Sequence, residues 1–570
     1  MPARVVRSVT LVPFSLLFIL AAAWPGAARF ARAQGHGEHG AAAAGAATSP
    51  KLMTGLSDLT HPIATTNPEA QKYFDMGLSL SFAFNKEEAE RAFRKAAELD
   101  PKAAMPQWGI ACALGPDINT SRDPARDKGA AEAIGKARAL AAGAPEAERD
   151  YIEAMAVRYS TDPKADLRKL DEAYRDAMKS LVAKYPDDLD AATIYAESIM
   201  DLSPWKFWGP DGKPAADTPE IVALLESVMR RDPGHIGANH LYIHAVEASP
   251  HPEKALASAR RLETAAPAAG HLVHMPGHIY LRTGDFVDTV RMNEKAVAAD
   301  DAFFKDFGKS AMYPIMYATH NSHFVAYGAM MAGMKEKAVA AADRVAAEMR
   351  AATPPGPLDP VMGPFLEMYG AVEITSRWRF GMWDEILKLP APDPRFVIDT
   401  ALWHAARGVA QAAKKNRALA LEEQKAFRTQ REKIPPTWAH AFSPAQDFLV
   451  VAGYILQARL LEAVSDKDGA IASWNAAVQG ADNLPYNEPP EWFYPVRESH
   501  GAALLRSGRA AEAEKVLRAD LEKHPRNARS LFGLWKALEA QKKTADAALV
   551  KRQFEAAWKD ATVTLDVKDL

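Results

Sequence analysis

Seven of the chain's 16 histidines stand at helical spacing in three neighbouring segments. His240 and His244 are four apart, with Glu247 one turn on; His271, His274 and His278 are separated by three and then four; His320 and His323 are three apart, with Tyr327 following. Residues three or four apart share one face of a helix, so each segment predicts a stripe of imidazoles. Neutral imidazole is a good ligand for zinc, copper, nickel and iron. One tetrahedral ion needs three to four ligands, so seven histidines with Glu247 as ligand and Tyr327 nearby exceed the demand of a single zinc. The surplus would serve further ions or orient the ligands.

Copper and zinc fit this set best, with iron possible. The only cysteine is Cys112, so thiolate sites for zinc or iron–sulfur clusters are not expected. A metal carrier and a metalloenzyme both follow from the same ligands, and the sequence leaves enzyme activity open. Arg282 is a candidate for orienting an anion or substrate. The alternatives are an imidazole-lined pocket for an acidic peptide, cationic as pH falls, and a metal-free scaffold that receives a protein or peptide segment. Neither a phosphate-cradling glycine loop nor G-x-S-x-G nor H-E-x-x-H is present.

The elements that must hold these residues are helices throughout. Ala, Leu and Met at helical spacing alternate with short breaks of Gly, Pro and Asp, and no period-2 strand pattern persists. A period is visible in 69-EAQKYFDMGLSLSFAFNKEEAERAFRKAAELDP-101, where Gly77, Ala89, Phe93, Ala96 and Pro101 supply small contacts, a knob and a stop. The layout returns at 494–525 with Gly501, Gly508, Ala513, Leu517 and Pro525, and at 270–301 with Gly277, Tyr280, Gly284, Phe286 and Ala296.

This resembles the tetratricopeptide repeat, which implies an all-α solenoid of antiparallel helix pairs over 57–570. Loop insertions are expected near 204–217, 300–314, 352–360 and 483–495. In that family the second, fifth and ninth places of a repeat line the concave wall, and seven of nine such places here are histidine. His274-Met275-Pro276-Gly277-His278-Ile279-Tyr280, with Phe82-Ala83-Phe84-Asn85 and 107–119, also resembles stretches of exported bacterial repeat proteins. Those relatives would carry histidine at Lys86 and asparagine at Asp117.

Arg4 and Arg7 precede an apolar run from Leu11 to Ala23, and Ala31-Arg32-Ala33 supplies small residues, so residues 1–33 read as a signal peptide. A periplasmic or secreted protein without membrane insertion after cleavage is expected. Residues 34–56 read as a flexible leader whose Gln34-Gly35-His36 start would suit copper or nickel, with His39 following. Lys and Arg number 69 against 72 Asp and Glu, a formal charge of −3. That balance gives no basis for nucleic acid as partner. Among other polar residues, His235 and His251 read as structural and His500 as a core histidine, while His404 and His440 have no clear place. Glu197 and Asp201, one turn apart, read as a solvated face, and Arg497 as a surface ion-pair partner.

Overall fold

The computed structural model describes residues 50–309, 313–358 and 362–570. Helices follow one another as antiparallel pairs, beginning with Pro68–Phe82 against Lys86–Leu99 and ending with Ala528–Ala540 against Thr544–Ala557. A hairpin of two-residue strands, Ala439–His440 with Ser443–Pro444, is the only sheet among the described residues. The architecture is a tetratricopeptide-like α-solenoid, and no described helix is long and apolar enough to cross a membrane.

Local sequence explains each pair. Asn67 ends the loop before the first helix and accepts from the free amides of Glu69 and Ala70, and Asn85 caps Glu88 in the same way. Ala89, Ala92, Phe93 and Ala96 then form the buried stripe of the second helix. The Phe93 ring lies between two glycines of flanking helices: a Cβ on Gly77 would stand 2.7 Å from it, and one on Gly109 closer still. Gly109→Ala is therefore expected to destabilise the protein by about 1–3 kcal/mol, because a ring held on both faces cannot move aside. A denaturant midpoint shift of less than a few tenths of a kcal/mol would contradict that packing.

The array curls tightly enough to touch itself. Helix Ile236–Val246 packs on Pro68–Phe82, with Phe82 against Gly237. Ala268 donates to the Gly55 carbonyl at 2.8 Å, and Tyr73 donates to that of Pro50 at 2.7 Å. Residues 50–56, which composition places in the flexible leader, are thus docked, with Leu56 buried. Farther on, Thr562 donates to Gly333 and Arg526 to the Thr283 carbonyl, so the last repeats lean on the middle ones.

One expected break is shorter than its composition suggests. Helix Phe286–Phe307 runs through most of 300–314, because Asp300 faces inward and takes hydrogen bonds from Tyr313 and Asn321. That contact ties the long helix to Thr319–Ala332, which carries the last histidines. The 204–217 and 483–495 segments lie between helices, as does the described part of 352–360 after Lys335–Ala352. Residues 1–33, where a signal peptide is expected, and the His36/His39 stretch lie outside the described residues.

Candidate metal centre

Three inner helical rods carry the histidines. Ile236–Val246 is buried along its whole length and starts at His235, whose Nδ1 accepts from the Ala238 amide at 3.1 Å. The next rod is divided into Gly270–His274 and Pro276–Thr283 because Pro276 has no N–H to donate. Met275 keeps helical angles (φ −51°, ψ −37°), so His271, His274 and His278 stay on one stripe. A π-helical turn, Pro314–Ala318, leads into Thr319–Ala332 and sets down His320.

Six of the histidines form two groups of three. His240, His244 and His271 make one, His274, His278 and His320 the other, with ligand atoms in each group within 4.8 Å of one another. Nε2 of His240 lies 3.1 Å from Nε2 of His244 and 3.1 Å from Nε2 of His271. Nε2 of His274 and of His278 are 2.5 Å apart.

The opposite nitrogens fix the tautomers. His240 Nδ1 must donate to the Phe82 carbonyl at 2.7 Å, and His244 Nδ1 to Glu247 Oε1 at 2.7 Å. His274 Nδ1 donates to Asn293 Oδ1 at 2.6 Å, and the Asn293 amide is oriented by its own donation to the Thr289 carbonyl. His278 Nδ1 faces Glu247 Oε2 and, at 2.8 Å, Glu488. His240, His244 and His274 are thereby left with a bare Nε2 lone pair directed at neighbouring imidazoles, the arrangement of a metal-ligating histidine with its orienting partner.

No protein-family model matches the chain, and no curated protein matches it in sequence. Solved helical structures do. A chain of the APC/C hetero-tetramer Cut9–Hcn1 is 13% identical over 84% of this chain and 78% of its own, with a TM-score of 0.27. Human IFIT1, solved as a dimer with m7Gppp-AAAA, is 13% identical over 87% of this chain and 92% of its own, with a TM-score of 0.29. At those values the likeness says nothing of activity.

Burial decides the charge state. It pushes His240, His271 and His274 well below the ordinary histidine range and takes His244 and His320 to about 3, each further repelled by neighbouring imidazoles. Burial also works against a charge on His278, but Glu488 and Glu247 outweigh it and raise His278 to about 10. A proton therefore sits in the second group when no metal does, and its displacement couples metal binding to proton release.

These shifts predict how stability depends on pH. A histidine whose pKa is lower folded than unfolded favours the unfolded chain as pH drops from 6.5 toward 3, by up to about 1.4 kcal/mol per pH unit each for His244 and His320. The contribution of His278 has the opposite sense: complete below 6.5, it is lost as pH rises toward 10. Urea midpoints of the metal-free chain should peak near neutral pH, and a midpoint still rising at about pH 4 would refute the assignment.

The remaining candidates lie elsewhere or act differently. His323 joins neither triad; it meets Tyr369 at 5.7 Å between ring centroids and has His440 nearby, because its spacing turns it past the centre. Glu247 touches the Nδ1 atoms of His244 and His278, so it orients one ring of each triad, and with those rings and Glu488 it forms a further group that could hold an ion. Arg282 donates to the carbonyls of Glu247 and Ser249 and lies over the Tyr486 ring, and with Tyr327 it lines a neighbouring cleft. Glu197 and Asp201 are not a solvated face: burial and mutual repulsion raise Glu197 to about 8, and burial raises Asp201 to about 6 against the pull of Arg158. Lys86 and Asp117 pair with each other at 3.2 Å. His500 is buried and His251 exposed beside Glu253, His404 bonds Glu423, and His440 stacks on Phe448.

Sequence reasoning missed the enclosure. His240, His244, His271, His274 and His278 do not face an open groove but are buried, His240 and His274 at 0% exposed, while His320 and His323 are half-buried. The Phe84 ring, held at φ 56°, reaches His240, His244 and His271 at 4.5, 6.0 and 5.5 Å between centroids. Phe324 does the same for His274, His278 and His320 at 4.6, 4.8 and 4.9 Å. Trp205 stands edge-on to His244, and Tyr486 donates to Glu247 and Glu488. Aromatic residues in the 204–217 and 483–495 insertions were the available signal, although nothing in them specifies contact with histidines so far along the chain.

Proposed function

We propose that the chain is an exported transition-metal protein that binds copper or zinc through the Nε2 atoms of His240, His244, His271, His274 and His278 together with the His320 ring. One observation carries the reading. His240 and His244 both have Nδ1 committed as donor, so two bare lone pairs face each other at 3.1 Å inside a fully buried pocket. Facing lone pairs repel, and burial keeps protons off both rings. A metal ion shared by the two rings with His271 turns that repulsion into coordination.

The burial of His240, His244, His271, His274 and His278 favours this reading over a scaffold that takes a partner segment at the histidines. The export half rests on Arg4, Arg7, the apolar run and Ala31-Arg32-Ala33. Metal analysis of protein from its native compartment tests the first half, and the amino-terminal residue of that protein tests the second. Stoichiometric copper or zinc is expected, with loss of metal in a His274→Ala/His278→Ala double variant. Metal-free protein that also fails to take up either ion in titration would defeat the proposal.

A further inference from the structure

The two histidine triads are separate ligand sets, yet they are neighbours. His244 faces His278 at 5.5 Å between ring centroids, and His271 faces His274 at 5.7 Å. Glu247 spans them, with Oε1 on His244 Nδ1 and Oε2 on His278 Nδ1. Three protein ligands leave a metal ion a position for something else. All six converging atoms belong to imidazoles, while Glu247 and Glu488 reach the His244 and His278 rings from the Nδ1 side. A neutral nitrogen set of this kind suits copper, and two one-electron ions side by side suit a two-electron acceptor.

The walls limit what that acceptor can be. One phenyl ring covers each triad, and Phe84 and Phe324 are 3% and 0% exposed. Metal ions there exchange their hydration for imidazoles, but a further ligand meeting the buried phenyl rings must be small and uncharged, since it has no such replacement for lost water.

We propose that the centre takes two copper ions, one on each triad, and that the pair binds dioxygen between them, an inference that rests on the metal reading above. Each copper(I) gives up one electron. Dioxygen takes both and becomes peroxide, the oxygen–oxygen double bond falling to a single bond, so no other reductant is needed and no proton moves. Release of dioxygen returns one electron to each ion.

The purified chain, loaded with copper(I) under argon and freed of excess, tests this by copper content and then by dioxygen uptake. Two copper ions per chain are expected, with one dioxygen taken up for every two copper ions and recovered as dioxygen when the sample is returned to argon. The variants His240→Ala/His271→Ala and His274→Ala/His320→Ala should each keep one copper ion and take up no dioxygen. One copper ion per unaltered chain overturns the pair and leaves the metal reading standing, whereas no copper or zinc at all removes both. Two copper ions that hold no dioxygen, their oxidation in air releasing it as hydrogen peroxide and leaving two magnetically isolated copper(II) signals, overturn the dioxygen assignment. The unaltered protein supplies these outcomes whether or not the variants fold.

Discussion

Glu247→Gln will weaken metal binding by about 10- to 100-fold, the usual effect of losing a partner that orients ligands. The glutamate accepts from two imidazoles at once, His244 on one oxygen and His278 on the other, and is fully buried. A glutamine of the same shape offers one acceptor oxygen and one NH2 group. Whichever ring meets the NH2 must turn its Nδ1 into an acceptor, which moves the proton to Nε2 and removes the lone pair that would hold the ion. Competition against a coloured chelator measures the change, and a thermal melt of the metal-free variant checks the fold. An affinity within about twofold of the unaltered protein would mean that Glu247 does not orient the site.

A second large effect is expected far from the histidines. Glu498→Ala should cost about 3–5 kcal/mol, as breaking a buried ion pair does. Arg379 grips Glu498 with both guanidinium nitrogens, Nη1 to Oε2 at 2.5 Å and Nη2 to Oε1 at 3.1 Å, across 119 residues of sequence. Asn527 adds a bond to Oε1 at 2.9 Å. Arg529 lies close by, brought down to about 9 by burial and by Arg379, so the alanine variant leaves the Arg379 guanidinium buried without its carboxylate and removes an opposite charge near Arg529. Replacing the pair together, Arg379→Met with Glu498→Leu, should recover most of the loss, because the apolar pair has no charge to desolvate. Denaturant midpoints decide it, and a double variant as unstable as the single would show that the penalty lies in packing.

The stripe of histidines is legible in the sequence for a local reason. Spacings of three and four fix which side chains share a helical face whatever the helix packs against, so His271, His274 and His278 align even across Pro276. The same geometry makes the repeat visible, since Phe93 needs small residues on both flanking helices and Gly77 and Gly109 provide them.

What spacing leaves open is the partner on the other side. Which histidines group together, which nitrogen points inward and what closes the site depend on Phe82, Phe84, Asn293, Phe324 and Glu488. Phe82 is 158 positions from the ring it orients. Such meetings are set by the small rotation between successive repeats, which accumulates into the curvature of the whole array. No single segment encodes that sum, so the sequence by itself supplied the helices and their histidine faces, while only the tertiary structure decided that they close on one another and bury five of the seven rings.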